Sequence, residues 1–221
     1  MASTPKLAQL ARENRLFLSR AVAWLAKQGI RQFLDIGSGL PTAQNTHQVA
    51  QAVEPGCRVM YVDNDPIVVA HAKALLRGGN VDAARGDVRD PASILTNPSV
   101  VALLASREPV ALILCMMLHF FGASTATEMT AAFVNSLAPG SYLVLSVGAG
   151  DEETGKQLTS EYTAVTLYNH SPAQIAGFFG GLELVGPGLT DAREWEPHAT
   201  AKPAAHTGRR ILAGVGRKVG A

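Results

Sequence analysis

Apolar residues fall into short runs along this chain, separated by turn residues and by amphipathic stretches. The runs predict seven strands, at 33–36, 57–63, 81–86, 110–118, 142–147, 182–185 and 211–215. Helical spacing between them predicts helices over 7–27, 43–53, 67–76, 126–137 and 172–179. Strands that alternate with helices form mainly parallel sheets with helices on both faces. The last two strands are separated by a turn at 186–188 and a loop without a helix, which predicts a C-terminal antiparallel hairpin.

A glycine turn follows the first strand. Gly37-Ser38-Gly39 cannot continue a strand cheaply, and its two glycines allow the backbone to approach a ligand without an intervening Cβ. Dinucleotide sites use G-x-G-x-x-G at this place, but Thr42 occupies the third glycine position. Asp35 would repel a pyrophosphate and attract a cationic ligand. A plain strand-to-helix turn is the alternative interpretation.

Acidic residues also follow the second and third strands. Asp63 stands 26 residues after Gly37, where a carboxylate can accept both hydroxyls of a ribose. Asp65, before a proline, is predicted to cap the next helix. Asp87 lies just past the third strand and Asp90 precedes another helix. Taken alone, Asp87 is equally well explained as a cap, but acids at three successive strand ends favour a ligand site.

The composition is that of a globular chain with little attraction to polyanions. Its 221 residues are 47% hydrophobic and carry a net charge of +1, without a basic tract. The apolar run at 110–118 is about half of the roughly 20 residues that cross a bilayer. Cys57 and Cys115 are predicted to be buried thiols. We expect a single cytoplasmic domain over 1–221, comprising an N-terminal helical segment (1–29) and a core (30–221), without a nucleic-acid or membrane partner and without a metal.

Several motifs together resemble a family of actinobacterial methyltransferases that depend on S-adenosylmethionine (SAM), formerly catalogued as a domain of unknown function. The matching stretches are 33–42, 45–47, 62–66, 86–91, 118–120, 137–143 and 178–188. The resemblance implies a Rossmann-like, class I methyltransferase fold, SAM as cofactor and a small-molecule substrate, with homodimerisation left open. Family members usually begin with a further segment that would help roof the active site. The printed sequence begins without it, so we expect a less enclosed substrate site.

This interpretation assigns three groups of candidate residues. The cofactor-binding candidates are Asp35, Gly37, Gly39, Thr46, Asp63, Asn64, Asp87, Val88 and Met116. Asp87 would accept from the adenine amino group, and the Val88 N–H would serve a ring nitrogen. His119 is the candidate catalytic base, although a structural histidine beneath the site explains it equally well. The substrate-side candidates are Phe120, Tyr162, Tyr168 and His170, although packing or surface positions explain the last three equally well.

Three other functions remain open on the sequence alone. A SAM-binding enzyme could catalyse a cyclisation or isomerisation instead of methyl transfer, because fold does not determine reaction. A regulatory SAM-binding module would use the same cofactor residues. A nicotinamide dehydrogenase is disfavoured by Thr42.

Overall fold

The computed structural model describes residues 5–41, 44–75, 79–150, 166–199 and 210–220. The strands are β1 Gln32–Ile36, β2 Arg58–Asp63, β3 Val81–Arg85, β4 Val110–Cys115, β5 Tyr142–Ala149, β6 Glu183–Asp191 and β7 Arg210–Arg217. The helices are α1 Pro5–Lys27, α2 Thr46–Val53, α3 Pro66–Leu75, α4 Pro91–Leu95, α5 Pro98–Leu104, α6 Ala123–Ser136 and α7 Pro172–Gly177. A short 3₁₀ helix, Leu118–Phe120, joins β4 to α6. Within these ranges no helix combines the length and apolar character needed to cross a bilayer.

The strands form one sheet in the order β3-β2-β1-β4-β5-β7-β6. The five strands from β1 to β5 pair in parallel, whereas β7 pairs antiparallel with both β5 and β6. This confirms the predicted mainly parallel sheet with an antiparallel C-terminal hairpin. The strand order reverses beside β1, and open parallel sheets bind ligands at the carboxyl ends of the strands at such a point.

Successive side chains of β1 contribute to two different cores, because a strand directs them to opposite faces. Phe33 packs in a core with residues of α1 and β7, while Leu34 and Ile36 pack in another with residues of α6. Asp35 therefore faces the same side of the sheet as Phe33 and α1. It is only 6% exposed, so a carboxylate is buried beneath the N-terminal helix.

Helix α1 is joined to the segment that follows β6. Its Arg20 donates hydrogen bonds to the carbonyl oxygens of Ala192 (2.6 Å) and Trp195 (2.9 Å). Trp195 is fully buried and meets Phe17 edge to face, with ring centroids 5.3 Å apart. Gly29, which has a positive φ of 93°, follows the end of the helix. These contacts hold α1 across one face of the sheet.

Three predicted boundaries are displaced by three residues each. The strand predicted at 110–118 ends at Cys115, because Met116 has a positive φ of 55° that breaks the extended backbone. The helix predicted from 43 begins at Thr46, after Gln44 and the cap residue Asn45; residue 43 lies outside the described ranges. The helix predicted from 126 begins at Ala123, with Gly122 as its N-cap.

The turn predicted at 186–188 is instead part of β6. Gly186 and Gly188 have positive φ values (66° and 76°), and the pairing with β7 shifts register between Val185 and Thr190. Because β6 is an edge strand, Pro187 can be accommodated without removing a hydrogen bond from the sheet interior. Of the two free cysteines, Cys57 is buried as predicted and Cys115 is half-buried.

Candidate functional site

The turn after β1 holds its two glycines in left-handed conformations. Their φ values are 72° at Gly37 and 65° at Gly39, which a side chain would make costly. The Gly37 N–H donates to the carbonyl oxygen of Val62 at 2.7 Å, and a Cβ at Gly37 would collide with the Met117 side chain. A Cβ at Gly39 would meet open space. Packing therefore requires the first glycine, and the second leaves the backbone accessible to a ligand.

A cleft of about 570 Å³ opens beside this turn, at the carboxyl ends of the strands. Its volume lies in the roughly 300–1,000 Å³ range of small-molecule sites. Seven of the nine predicted cofactor-binding residues line it, namely Gly37, Gly39, Asp63, Asn64, Asp87, Val88 and Met116. Phe120 lines it as well. Sequence reasoning missed Ile36, Gly86, Arg89, Met117 and Phe121. Each of these is next to a predicted residue, so widening the search at each strand end by one position would have found them.

Asp63 connects the end of β2 to the glycine turn. Its Oδ2 accepts a hydrogen bond from the Gly39 N–H at 2.9 Å, and its Oδ1 accepts one from the Asp65 N–H at 3.0 Å. A carboxylate has about four lone-pair sites, so both oxygens can still accept from a ligand hydroxyl. Asp65 caps α3 as predicted, because its side chain accepts from the Ile67 N–H at 2.8 Å.

Asp87 is paired with Arg89 at the opposite wall of the cleft. The carboxylate accepts from the Arg89 backbone N–H at 2.9 Å and from the guanidinium Nε at 2.9 Å. The hydrogen bonds from the Arg89 side chain hold the pKa of Asp87 below its usual value, so this group is ionised at neutral pH. Asp90, by contrast, caps α4 as predicted and accepts from the Ser93 N–H at 3.1 Å.

A second cavity of about 30 Å³ shares Gly39 with the cleft. The two remaining cofactor candidates, Asp35 and Thr46, line this cavity, and the Thr46 hydroxyl donates to Asp35 Oδ2 at 2.6 Å. Burial raises the pKa of Asp35 to about 6, while the Thr46 hydrogen bond and the charge of Arg15 oppose the increase. A cation bound in this cavity would favour the ionised carboxylate.

Met116 lines the cleft just after the end of β4. Its backbone is held by a chain of hydrogen bonds that extends to α1. Its N–H donates to Ser146, to the carbonyl oxygen at 2.8 Å and to Oγ at 3.1 Å. The Ser146 hydroxyl in turn donates to Asn14 Oδ1 at 2.6 Å. A non-glycine residue in the left-handed region is strained, and such strain is often found at ligand sites.

His119 follows Leu118 in the 3₁₀ helix and does not line the cleft, whereas the neighbouring Phe120 does. Its Nδ1 is buried and makes no hydrogen bond with any residue that the structure describes. Burial, with a smaller contribution from the charge of His170, lowers the pKa of His119 to about 4. The imidazole is therefore neutral at physiological pH and can accept a proton, but it is a weak base.

The substrate-side candidates differ in burial, although the rings of Tyr168 and His170 stack with centroids 6.5 Å apart. His170 is buried, its Nε2 lies 3.2 Å from the Leu118 carbonyl oxygen, and its ring packs against Phe178, so it supports the 3₁₀ helix from within. Tyr168 is 43% exposed, and its N–H donates to the His119 carbonyl oxygen at 2.8 Å. Tyr162 lies outside the described residues.

The geometry favours a cationic nucleoside over a dinucleotide. In dinucleotide sites the N–H groups of the glycine turn bind a pyrophosphate. Here the Gly39 N–H donates to the Asp63 carboxylate, which would repel a phosphate placed at the turn. Asp35 adds a second carboxylate in the adjoining cavity, whereas the charge of Asp87 is paired with Arg89. This arrangement offers acceptors for hydroxyl and amino groups and an environment favourable to positive charge.

Comparison with known proteins agrees with this chemistry. A family model described as "S-adenosyl methyltransferase" matches residues 1–219. The chain is similar to a candidate methyltransferase of Thermobifida fusca YX, at 39% identity over 98% of this chain and 84% of that one, with a TM-score of 0.88. It is also similar to a DUF574 family protein of Streptomyces avermitilis, at 38% identity over 94% and 83% of the two chains, with a TM-score of 0.82.

A more distant structure shares only the fold. Magnesium protoporphyrin IX methyltransferase of Synechocystis PCC 6803, crystallised with bound S-adenosylhomocysteine (SAH), is 19% identical over 97% of this chain and 89% of that one, with a TM-score of 0.60. The search of curated proteins found no significant match. The family and the SAM cofactor predicted from the sequence motifs are thereby confirmed.

Proposed function

The chain belongs to the S-adenosyl methyltransferase family, and on that premise we propose that it transfers the methyl group of SAM to a small-molecule acceptor. The proposal rests on one observation. Carboxylates at the ends of β1, β2 and β3 surround a glycine turn whose second glycine has no atom blocking the approach of a ligand. SAM has no phosphate and carries an ammonium and a sulfonium, so it suits these acidic surroundings.

The residues around the cleft have donors and acceptors that match the parts of SAM. We propose that Asp63 accepts from the ribose hydroxyls, since both of its oxygens are held in place by backbone N–H groups. Asp87, with the Val88 N–H, is proposed to bind the adenine edge. Asn64 and Met116 would complete the walls of the cleft. When bound, SAM supplies a methyl group already activated by the sulfonium.

We propose that the acceptor lies against the apolar side of the cleft. Met117, Phe120 and Phe121 line it there, and Phe120 is 37% exposed, so part of its ring is accessible to a ligand. The ring of Tyr168 lies next to this surface, since it is 3.6 Å from the position that a Cβ would take at Gly122, the residue after Phe121. A small, partly apolar acceptor fits such a surface better than a polyanion.

The protein's part in the reaction is mainly to position two reactants, which can supply several kcal/mol of the barrier. A base is needed only if the acceptor atom carries a proton of high pKa. His119 does not itself line the cleft but neighbours Phe120, which does, and it remains the proposed base: it is neutral, and the Tyr168 N–H bonded to its carbonyl oxygen helps to fix its position. We further propose that residues 1–221 form a single domain, since α1 packs on the sheet formed by the rest.

One experiment tests this proposal. The purified protein is incubated with SAM labelled on its methyl group and with an actinobacterial extract separated into small molecules, protein and nucleic acid. Label should appear in the small-molecule fraction, and an Asp63→Ala variant should transfer much less. SAM binding measured by calorimetry, without label transfer to any fraction, would instead support a SAM-dependent cyclase, isomerase or regulatory module. Transfer to protein or nucleic acid would overturn the proposed class of acceptor.

A further inference from the structure

Helix α1 brings a cation to the cavity that Asp35 lines. Arg15 lies on the wall of the 30 Å³ cavity, together with Asp35, Thr46 and Gly39. Burial raises the pKa of Asp35, and the positive charge of Arg15 opposes that increase. Nevertheless, the Arg15 guanidinium has no hydrogen-bond or ion-pair partner in the part of the chain that the structure describes. Its five N–H donors are thus available to a ligand.

The other arginine of α1 facing the protein is used differently. Arg20 donates to two backbone carbonyl oxygens and pairs with Glu196 at 3.2 Å, so it has a structural role. Arg12 is exposed and does not line the cavity. Arg15 therefore differs from both of these arginines in lining the cavity without such a partner.

The cavity combines a cation and an anion in a space suited to a small polar group. The cavity is small, about 30 Å³, and it adjoins the large cleft at Gly39. Arg15 and Asp35 would together suit a zwitterion, with a carboxylate on the guanidinium and an ammonium beside the buried carboxylate. The amino-acid end of SAM is such a zwitterion. Since Gly39 lines both cavities, a ligand with its nucleoside in the large cleft can reach this space past a residue without a side chain.

We propose that Arg15 binds the α-carboxylate of the amino-acid end of SAM, while Asp35, held by the Thr46 hydroxyl, accepts from the ammonium. The inference rests on SAM being the cofactor. It gives α1 a role in binding as well as in packing: the helix that covers one face of the sheet also provides one end of the cofactor site. The α-carboxylate is absent from decarboxylated SAM, which otherwise retains the nucleoside, sulfonium and ammonium.

The test compares these two ligands by calorimetry on the wild-type chain and on Arg15→Met. Affinity for SAM should fall about tenfold to a hundredfold, the range expected when a charge-assisted hydrogen-bonded pair is lost. Affinity for decarboxylated SAM should change much less, because this ligand has no carboxylate for Arg15 to bind and only the effect of Arg15 on the ionisation of Asp35 remains. Arg12→Met is the matched control: it removes an exposed cation of the same helix and should change neither affinity.

Two further results would decide the matter. Arg15→Lys keeps the charge but not the two-pronged geometry, so its SAM affinity should lie between those of the wild type and Arg15→Met. Equal losses for both ligands, or no loss for SAM, would overturn the assignment of Arg15 while leaving the proposed function intact. If the wild-type chain bound neither ligand, the proposed function itself would fail. Circular dichroism of each variant identifies any loss of folding.

Discussion

The carboxylate of Asp63 accepts a hydrogen bond from the backbone N–H of Gly39 at 2.9 Å, which ties the end of β2 to the turn that follows β1. The same carboxylate lines the cleft, so a single side chain fixes the shape of the turn and presents an acceptor to the ligand. This double role explains why the N–H of the glycine turn is not offered to a phosphate. It also means that substitutions of Asp63 change both the turn and the ligand contacts.

Replacing Asp63 should therefore weaken SAM binding by more than one route. Asp63→Ala is expected to cost about 1–3 kcal/mol of SAM binding free energy, measured by calorimetry, because the ribose loses its acceptor. Asp63→Asn keeps one oxygen for the Gly39 N–H and should cost less. Asp65→Ser is the control, since serine also caps helices and Asp65 does not line the cleft. Equal affinity in Asp63→Ala and the wild type would remove the ribose assignment.

Substitutions at Gly39 and Gly29 distinguish the cost of backbone strain from the loss of ligand access. Both have positive φ, and a Cβ would meet no atom within 4 Å at either position. Gly29→Ala and Gly39→Ala should each cost about 1–2 kcal/mol of unfolding free energy in denaturant titrations. Only Gly39→Ala should also weaken SAM binding, because only Gly39 lines the cleft. Equal SAM affinities in the two variants would show that the ligand does not pass close to this turn.

The strand ends were predictable from sequence because local patterns determine them. Apolar runs that stop at a glycine or an acidic residue predicted where β1, β2 and β3 end. Parallel pairing then brings those ends to one edge of the sheet. Contacts distant in sequence decided the rest. The backbone of Met116, just after β4, is held by Ser146, thirty residues later. Arg15 and Asp35 line the same cavity only because α1 packs on the sheet.

The register shift in β6 illustrates a second limit of prediction from sequence. Gly186-Pro187-Gly188 has the composition of a turn, and only its place at the edge of the sheet allows it to remain in a strand. Similarly, the sequence left His170 open between a substrate-side role and a packing or surface role, and the structure places its ring in the interior within hydrogen-bond distance of the Leu118 carbonyl oxygen. Burial of an individual side chain depends on packing that the local pattern does not contain.

The pH dependence of the reaction should reveal whether His119 acts as the base. A base with a pKa of about 4 is unprotonated throughout the neutral range, so the rate at saturating SAM should stay flat there and fall only as the pH drops towards 4. His119→Gln should lower kcat about 10²- to 10⁴-fold while leaving SAM affinity unchanged, if the acceptor needs a base. The measurement uses the acceptor found by label transfer. An unchanged kcat in His119→Gln would assign the residue to structure alone.

The titration of Asp35 should make the stability of the chain and its affinity for SAM depend on pH in opposite directions. Its pKa is about 6 in the folded chain against 3.8 ordinarily, so folding favours the protonated form. The stability contributed by that protonated form is complete below about pH 3.8 and is lost as the pH rises through about 6. Above that range the buried carboxylate costs about 2–3 kcal/mol, since one pKa unit corresponds to about 1.4 kcal/mol. Asp35→Asn, which can still accept from Thr46, should therefore be more stable than the wild type at about pH 8 and similar to it at about pH 4.

SAM binding should show the reverse, because the ammonium favours the ionised carboxylate. Wild-type affinity is expected to fall as the pH drops below about 6, whereas Asp35→Asn should bind weakly and without that dependence. Thr46→Val provides the matched test: removing the hydroxyl that stabilises the carboxylate should move the wild-type transition to higher pH. Calorimetry at several pH values, alongside denaturant unfolding without SAM, measures both effects. If Asp35→Asn and the wild type lost affinity in parallel as the pH fell, another group would be responsible and the ammonium would lie elsewhere.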